Sequence, residues 1–314
     1  MREINTKYGP LNGVLSLEVY DNSNIKECIL EKYNEFITVY GKLVPQYEEE
    51  NVRRKYTASV SFYENGNIKS IALNSQTKVT TQIGIFEAEK LTFYEDGSLK
   101  RLFPINGKLT GYWTEENEYT LAEDYNLSFH FGEIKCKIMS FKFYKSQKVQ
   151  SITLWPKEEV SVKLNNGKVM VRTGIALYES GEIKSCEPAE MTSVQTPIGT
   201  IIAYDTQAIG IHGDTNSLQF YEDGILKAVV SSTDKIEIYD ENNNKITYSP
   251  EETLSTFNPK KMDRAPLQLV FENGKVIIND EVAYNIDRHS FVITNYFKEL
   301  IKPCTDCSNC NLCD

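Results

Sequence analysis

Apolar and polar residues alternate within a short unit that returns along the chain. It reads aromatic, aromatic, acid, turn residue, glycine, variable residue, aliphatic, lysine, as in Phe93-Tyr94-Glu95-Asp96-Gly97-Ser98-Leu99-Lys100. Close copies start at Phe62, Leu177 and Phe220. Disguised copies start at Val19, where Ser23 stands in the glycine's place, at Phe143, which has no glycine, and at Val270. Asn and Asp tolerate left-handed backbone angles, and glycine adopts them without a Cβ clash, so each copy predicts a β-hairpin. A two-residue turn at Asp96-Gly97 pairs Tyr94 with Leu99. A three-residue turn with Gly97 in a bulge pairs Phe93 with Leu99 and Thr92 with Lys100. The second register separates Phe93 and Leu99 from Tyr94 and Lys100, the cleaner division between core and solvent. A slip of one residue would reverse the faces.

Successive copies start 43, 31, 50, 34, 43 and 50 residues apart. That irregularity suits hairpins joined by return strands of variable length rather than a strict-period solenoid. The expected fold is mainly β: repeated antiparallel hairpins forming an elongated or curled meander, one or two short helices and a cysteine-rich C-terminal tail. Residues 1–240 read as the hairpin domain, 241–302 as a C-terminal β segment with a short helix, and 303–314 as the tail. Thr114, followed by Glu115, Glu116 and Glu118, predicts a capped helix near 114–124. Val292, Tyr296, Phe297, Leu300 and Ile301 stand at helical spacing over 290–301. Residues 250–254 read as a further short helix. Glu48-Glu49-Glu50 and Arg53-Arg54-Lys55 read as a solvated, charged loop over 46–55.

The unit resembles MORN-type hairpin repeats, in which aromatic–acidic–glycine–lysine hairpins stack into elongated sheets. The resemblance runs discontinuously over residues 19–240, and this chain lacks the second and third glycines usual in those repeats. It implies a scaffold or interaction role rather than catalysis.

Composition narrows the partners. The 34 basic and 44 acidic residues leave a net charge of −10, with no long basic run, which disfavours nucleic acid and anionic membrane surfaces. No apolar run approaches the roughly 18 residues of a membrane span. The first residues carry no apolar signal-peptide core, so the expected compartment is the cytoplasm.

Three constellations carry candidate chemistry. Cys304, Cys307, Cys310 and Cys313 stand at three-residue intervals, a spacing that can direct successive sulfurs at an iron–sulfur cluster or zinc. The run partly resembles the bacterial ferredoxin motif but departs in its last spacing. Redox thiols or an unstructured tail are alternatives, and Cys28, Cys136 or Cys186 could complete a three-cysteine site. The second constellation is an insertion. Thr81-Gln82-Ile83-Gly84 leads into the Phe93 copy after a short link, whereas its counterpart Thr196-Pro197-Ile198-Gly199 reaches Phe220 only after 12 extra residues. These include Asp205, His212 and Asp214, a possible binding loop with acid–base or metal chemistry, or else a polar surface loop. Third, Tyr112-Trp113 beside Glu115, Glu116 and Glu118 combines aromatics and carboxylates as a sugar site does, or is a core anchor before a helix. The leading expectation is a non-enzymatic, cytoplasmic protein-binding scaffold. A metal-binding or redox protein is the alternative, and a carbohydrate-active one is weaker.

Overall fold

The computed structural model describes residues 4–49, 53–54, 58–107, 112–165, 167–208, 216–254 and 262–295. They are mainly antiparallel β with many hairpins, and the one helix among them is Glu115–Leu121. No helix among them is long and apolar enough to cross a membrane. The chain divides into two compact units, Met1–Ser161 with Ala176–Glu182, and Val162–Ile175 with Ile183–Asp314.

In the first unit, one sheet runs through Val14–Val19, Ile25–Leu30, Val60–Phe62, Ile68–Thr81, Gly84–Phe93, Leu99–Phe103, Gly132–Phe143 and Val149–Leu154, each strand antiparallel to the next. In the second, Ile183–Pro188, Leu218–Phe220, Leu226–Ser231, Leu267–Glu272, Lys275–Ile278 and Val282–Asn285 pair in that order. A separate sheet joins Lys245–Tyr248, Asp234–Tyr239 and Ser290–Asn295.

The copies at Val19, Phe62, Phe93, Phe143 and Phe220 close with one register, in which the first residue faces the seventh, as Phe93 faces Leu99. The Tyr94 amide donates to the Ser98 carbonyl at 2.8 Å, and the Gly97 amide to the Tyr94 carbonyl at 2.9 Å. This is the three-residue turn with its bulge. The glycine position needs a left-handed backbone: φ is 88° at Gly97 and stays positive, 66° and 68°, where Ser23 and Gln147 replace glycine.

One expected pairing fails. Arg101, not Lys100, faces Thr92, because a second bulge follows Leu99. The cause is the spacing of apolar residues. Leu99 and Leu102 are both buried and lie three apart, so a flat strand would send them to opposite faces. One extra residue puts both inside, and Ile68 with Ile71 and Val149 with Ile152 repeat the pattern. Lys100 is left outside, its ammonium 5.5 Å from the Tyr94 ring centre.

The Val270 copy differs. Glu272 faces Lys275 across a two-residue turn at Asn273 and Gly274, both with positive φ. Phe271, not Val270, takes the buried aromatic position.

The helix at 114–124 forms, with a capping box between Thr114 and Asn117. The helix expected over 290–301 does not: Ser290–Asn295 is a strand against Asp234–Tyr239, and residues 296–301 lie outside the described residues. Its period-two alternation, with Phe291 and Ile293 half-buried, matches a sheet face, and tertiary pairing prevails over the helical spacing. Glu251–Leu254 is likewise a strand, paired with Met262–Ala265.

Candidate functional site

The tyrosine of the hairpin unit ties one hairpin to the next. Each phenolic hydroxyl donates to a backbone carbonyl of the following copy: Tyr20 to Phe62 at 2.9 Å, Tyr63 to Phe93 at 2.9 Å, Tyr94 to Phe143 at 2.8 Å and Tyr144 to Leu177 at 2.8 Å. In the second unit Tyr221 donates to Phe271 at 3.0 Å. The ring adds apolar contact while its polar tip is satisfied, so aromatic burial and hydrogen bonding act together at each junction. Asn24 and Asn67 add exposed rungs to the carbonyls of Glu64 and Glu95.

A second hairpin type covers the first. Thr6, Thr38, Thr81 and Thr196 each open a two-residue turn closed by Gly9, Gly41, Gly84 and Gly199. In each, the threonine hydroxyl donates to the glycine carbonyl. At Lys7 and Gln82 the second turn residue rests on the loop of an aromatic hairpin, as His130 and Asn165 do from the turns before Gly132 and Gly167. Lys7 lies against Gly66, His130 near Gly181, and Asn165 close against Gly224, while Gln82 donates to the Ser146 carbonyl at 3.0 Å. The third turn residue is the plug. The Tyr8 ring centre is 6.5 Å from Phe62, and Tyr40 is 5.6 Å from Phe93. The hydroxyls of these tyrosines accept the backbone amides of Ile68, at 3.3 Å, and Leu99, at 2.6 Å. A groove of about 440 Å³ runs between the two plugs, with Tyr8 and Tyr40 among its walls.

In the second unit a groove of about 370 Å³ opens over the Phe220 hairpin. Leu164, Val169, Val194, Leu218, Phe220 and Leu226 form its apolar wall, and Lys168 is its charged lining residue. Phe220 and Leu226 remain half-buried, whereas Phe93 and Leu99 are 3 % and 1 % exposed. Sequence reasoning missed this groove, because Phe220-Tyr221-Glu222-Asp223-Gly224 matches the unit closely and only its cover differs.

The structure also assembles buried charge clusters. In the first unit the Arg53 guanidinium donates to Glu89 at 2.7 Å and to both carboxylate oxygens of Glu118, at 3.1 and 3.2 Å. Burial works against the Arg53 charge, but the two carboxylates outweigh it and raise its pKa. Burial also pushes the Glu118 carboxyl up, against the opposing pull of Arg53. Arg54 is buried and donates to the carbonyls of Leu73 and Asn74. The solvated loop expected over 46–55 is therefore corrected at Arg53 and Arg54: the carboxylates and carbonyls drew both cations inside. In the second unit Glu187, fully buried, accepts the amides of Ser217 at 2.7 Å and Asp205 at 3.2 Å, with Arg172 at 3.6 Å. Burial raises its pKa against those partners.

These contacts place the residues singled out from the sequence. Asp205 shapes a turn, its carboxylate accepting the Gln207 amide at 2.8 Å, while its carbonyl accepts from Arg172. His212 and Asp214 lie outside the described residues, as do Cys304, Cys307, Cys310 and Cys313. Cys28, Cys136 and Cys186 are buried in strands, and burial pushes each thiol up to about 12, which holds it neutral at physiological pH. The 112–118 segment is split. Tyr112, Glu115 and Glu116 are exposed, whereas Glu118 turns inward to Arg53. Among the described residues no group of three or more His, Cys, Asp or Glu is placed to hold a metal. The chain matches no protein-family model, no curated protein and no solved structure.

Proposed function

We propose that this protein is a non-enzymatic, protein-binding scaffold of MORN-like hairpins, with the cytoplasm as its expected compartment. The observation that carries the reading is the set of tyrosine-to-carbonyl rungs from Tyr20, Tyr63, Tyr94, Tyr144 and Tyr221. Every fixed position of the unit serves the architecture. The first aromatic and the aliphatic fill the core, tyrosine makes the rung, glycine supplies the turn and lysine covers the tyrosine ring. The buried charged groups Arg53, Arg54, Glu89, Glu118, Glu187 and Asp234 are spent on internal contacts. Outward-facing loops and the groove over Phe220 remain for recognition, as in repeat proteins that bind partners along one face.

The test is a binding measurement on the full chain. A partner retained from the source extract is purified and titrated back, and its affinity is compared with the variants Val194→Glu and Lys168→Glu. Loss of affinity with the circular dichroism spectrum unchanged supports the scaffold. A partner whose affinity ignores both substitutions and vanishes with residues 303–314 contradicts it.

A second reading rests on the Cys304, Cys307, Cys310 and Cys313 spacing, in which the tail holds zinc or an iron–sulfur cluster. Anaerobic purification decides it. Stoichiometric iron with visible absorption, or zinc without colour, supports the site. Metal-free protein with four freely labelled tail thiols removes it.

A further inference from the structure

We infer that the groove between the Tyr8 and Tyr40 plugs is a receptor for a lysine side chain presented by a partner protein. This rests on the protein-binding reading and gives the first unit a partner chemistry of its own.

The fold itself caps the loops of aromatic hairpins with nitrogen-bearing side chains. Lys7 packs against Gly66, and its ammonium donates to Asn67 Oδ1 at 3.1 Å. Gln82 donates to the Ser146 carbonyl at 3.0 Å. His130 reaches the Gly181 loop, with its Nε2 3.2 Å from the Glu182 carboxylate. In the second unit Asn165 crowds Gly224 and donates to the Asp223 carbonyl at 3.5 Å. Four loops thus carry lysine, glutamine, histidine and asparagine in one role.

The Gly97 loop has its covering turn but not its cap. The turn Thr38-Val39-Tyr40-Gly41 seats Tyr40 on Phe93, and the Tyr40 hydroxyl accepts the Leu99 amide. The plug is therefore in place. The residue at the Lys7 and Gln82 position is Val39, which has no side-chain donor and is 92 % exposed. The space around a Cβ on Gly97 is open to 4 Å. Asp96 stands where Ser146 and Asp223 stand in their loops, and among the described residues no side chain donates to its carbonyl.

The groove of about 440 Å³ opens at this loop, within the range of ordinary binding pockets. Ile37 and Val39 line it, and Ile37 is 69 % exposed. These two branched side chains offer an apolar wall for the four methylenes of a lysine, whose ammonium can then reach the loop. Asp96 is the acidic residue of the lining, which holds no basic one. Its Oδ1 accepts the Ser98 amide at 2.9 Å and the Ser98 hydroxyl at 2.6 Å, and those donors hold its carboxyl below the ordinary range. Its Oδ2 lies 3.8 Å from the exposed Lys145 ammonium. A carboxylate offers about four acceptor sites, so Asp96 keeps capacity for a second ammonium beside its own carbonyl. The net charge of −10 favours the approach of a basic partner.

The experiment titrates the full chain with a capped peptide holding one lysine between two valines, and with versions carrying norleucine or glutamate in its place, observed by amide and methyl NMR. The lysine peptide is expected to shift the Asp96 and Gly97 amides and the methyls of Ile37 and Val39. It should bind about fivefold more tightly than the norleucine peptide, with the advantage shrinking as salt is added, and the glutamate peptide should not bind. Val39→Lys supplies the cap from within, as Lys7 does at Gly66. It should abolish the shifts while the melting temperature holds. Asp96→Asn keeps an acceptor for Ser98 and should erase the preference for lysine over norleucine. Equal binding of those two peptides by the parent chain, shifts confined to other residues, or binding that Val39→Lys leaves intact overturns the inference. So does spermidine binding as tightly as the lysine peptide, which would make the guest a free amine, or a second copy of the chain in the groove, seen as dimerisation that Val39→Lys removes. A partner protein that Val39→Lys retains in full, but that Val194→Glu releases, overturns the lysine site and leaves the scaffold standing.

Discussion

The Phe93 and Phe220 hairpins share a register, a glycine with positive φ and a tyrosine that donates to a neighbouring hairpin. They part in what covers them. Tyr40 packs on Phe93 and accepts the Leu99 amide, whereas Phe220 and Leu226 stay half-buried along a groove of about 370 Å³. The unit builds the hairpin, but a separate turn decides whether its core face is closed. Near-identical sequence can therefore serve as core in one place and as surface in another.

The largest expected effects lie at the apolar centres of the two hairpins. Phe93→Ala should cost about 3–5 kcal/mol, as for a fully buried aromatic. Phe220→Ala, half-buried, should cost no more than about 2 kcal/mol. Amide exchange read separately in each unit checks this, and equal losses would mean that the two hairpins are equally covered.

The buried arginines give the next contrast. Arg53→Met leaves Glu89 and Glu118 buried without their cation and should destabilise the first unit by about 3–5 kcal/mol. Arg172 is 25 % exposed and lies 3.6 Å from Glu187, which also keeps two amide donors, so Arg172→Met should cost clearly less. Urea midpoints of the two variants decide the order.

Glu187 should also give the second unit a pH dependence. Its folded pKa lies above the ordinary 4.5, so the native state binds more protons than the unfolded chain between those values. Its contribution to stability is therefore most favourable at low pH and falls as pH rises from 4.5 through the folded value. Glu187→Gln lacks this slope. The stability of the variant minus that of the parent should grow as pH rises through that window, and a difference that falls instead would contradict the raised pKa.

The smallest effect concerns the turn. Ser23 holds φ of 66° with a Cβ present, so Ser23→Gly should stabilise the first hairpin by about 0.5–1 kcal/mol. Gly97→Ala should destabilise its hairpin by about 1 kcal/mol, and thermal melts of both variants check the pair of signs.

Much of the fold is legible in the sequence. Turn chemistry locates the hairpins and the Phe93–Leu99 pairing, even at Ser23 where the glycine is lost, because the flanking apolar positions repeat. The second bulge is written in the three-residue spacing of Leu99 and Leu102, which turn chemistry alone does not weigh. Tyr239-Asp240-Glu241-Asn242-Asn243-Asn244-Lys245 also closes as a hairpin, with Asp240 and Asn244 bonded across the loop, although it lacks both glycine and the aromatic pair. The charge clusters are hidden for a different reason. Arg53 meets Glu89 and Glu118 across 36 and 65 residues, and a run of basic residues does not reveal which member a distant carboxylate will draw inside. Ser290–Asn295 shows the limit of periodicity, since a few apolar positions fit both a helix and a strand until the pairing strand is known.

Two amides in the same molecule, Leu99 and Leu226, decide whether one hairpin is closed and the other open, through hydrogen exchange under native conditions. Strong protection is predicted at Leu99, whose N–H is held by the Tyr40 hydroxyl beneath a closed cover. Faster exchange is predicted at Leu226, which is half-buried and whose N–H no side-chain hydroxyl among the described residues accepts. Equal protection of the two amides in the free protein would contradict this.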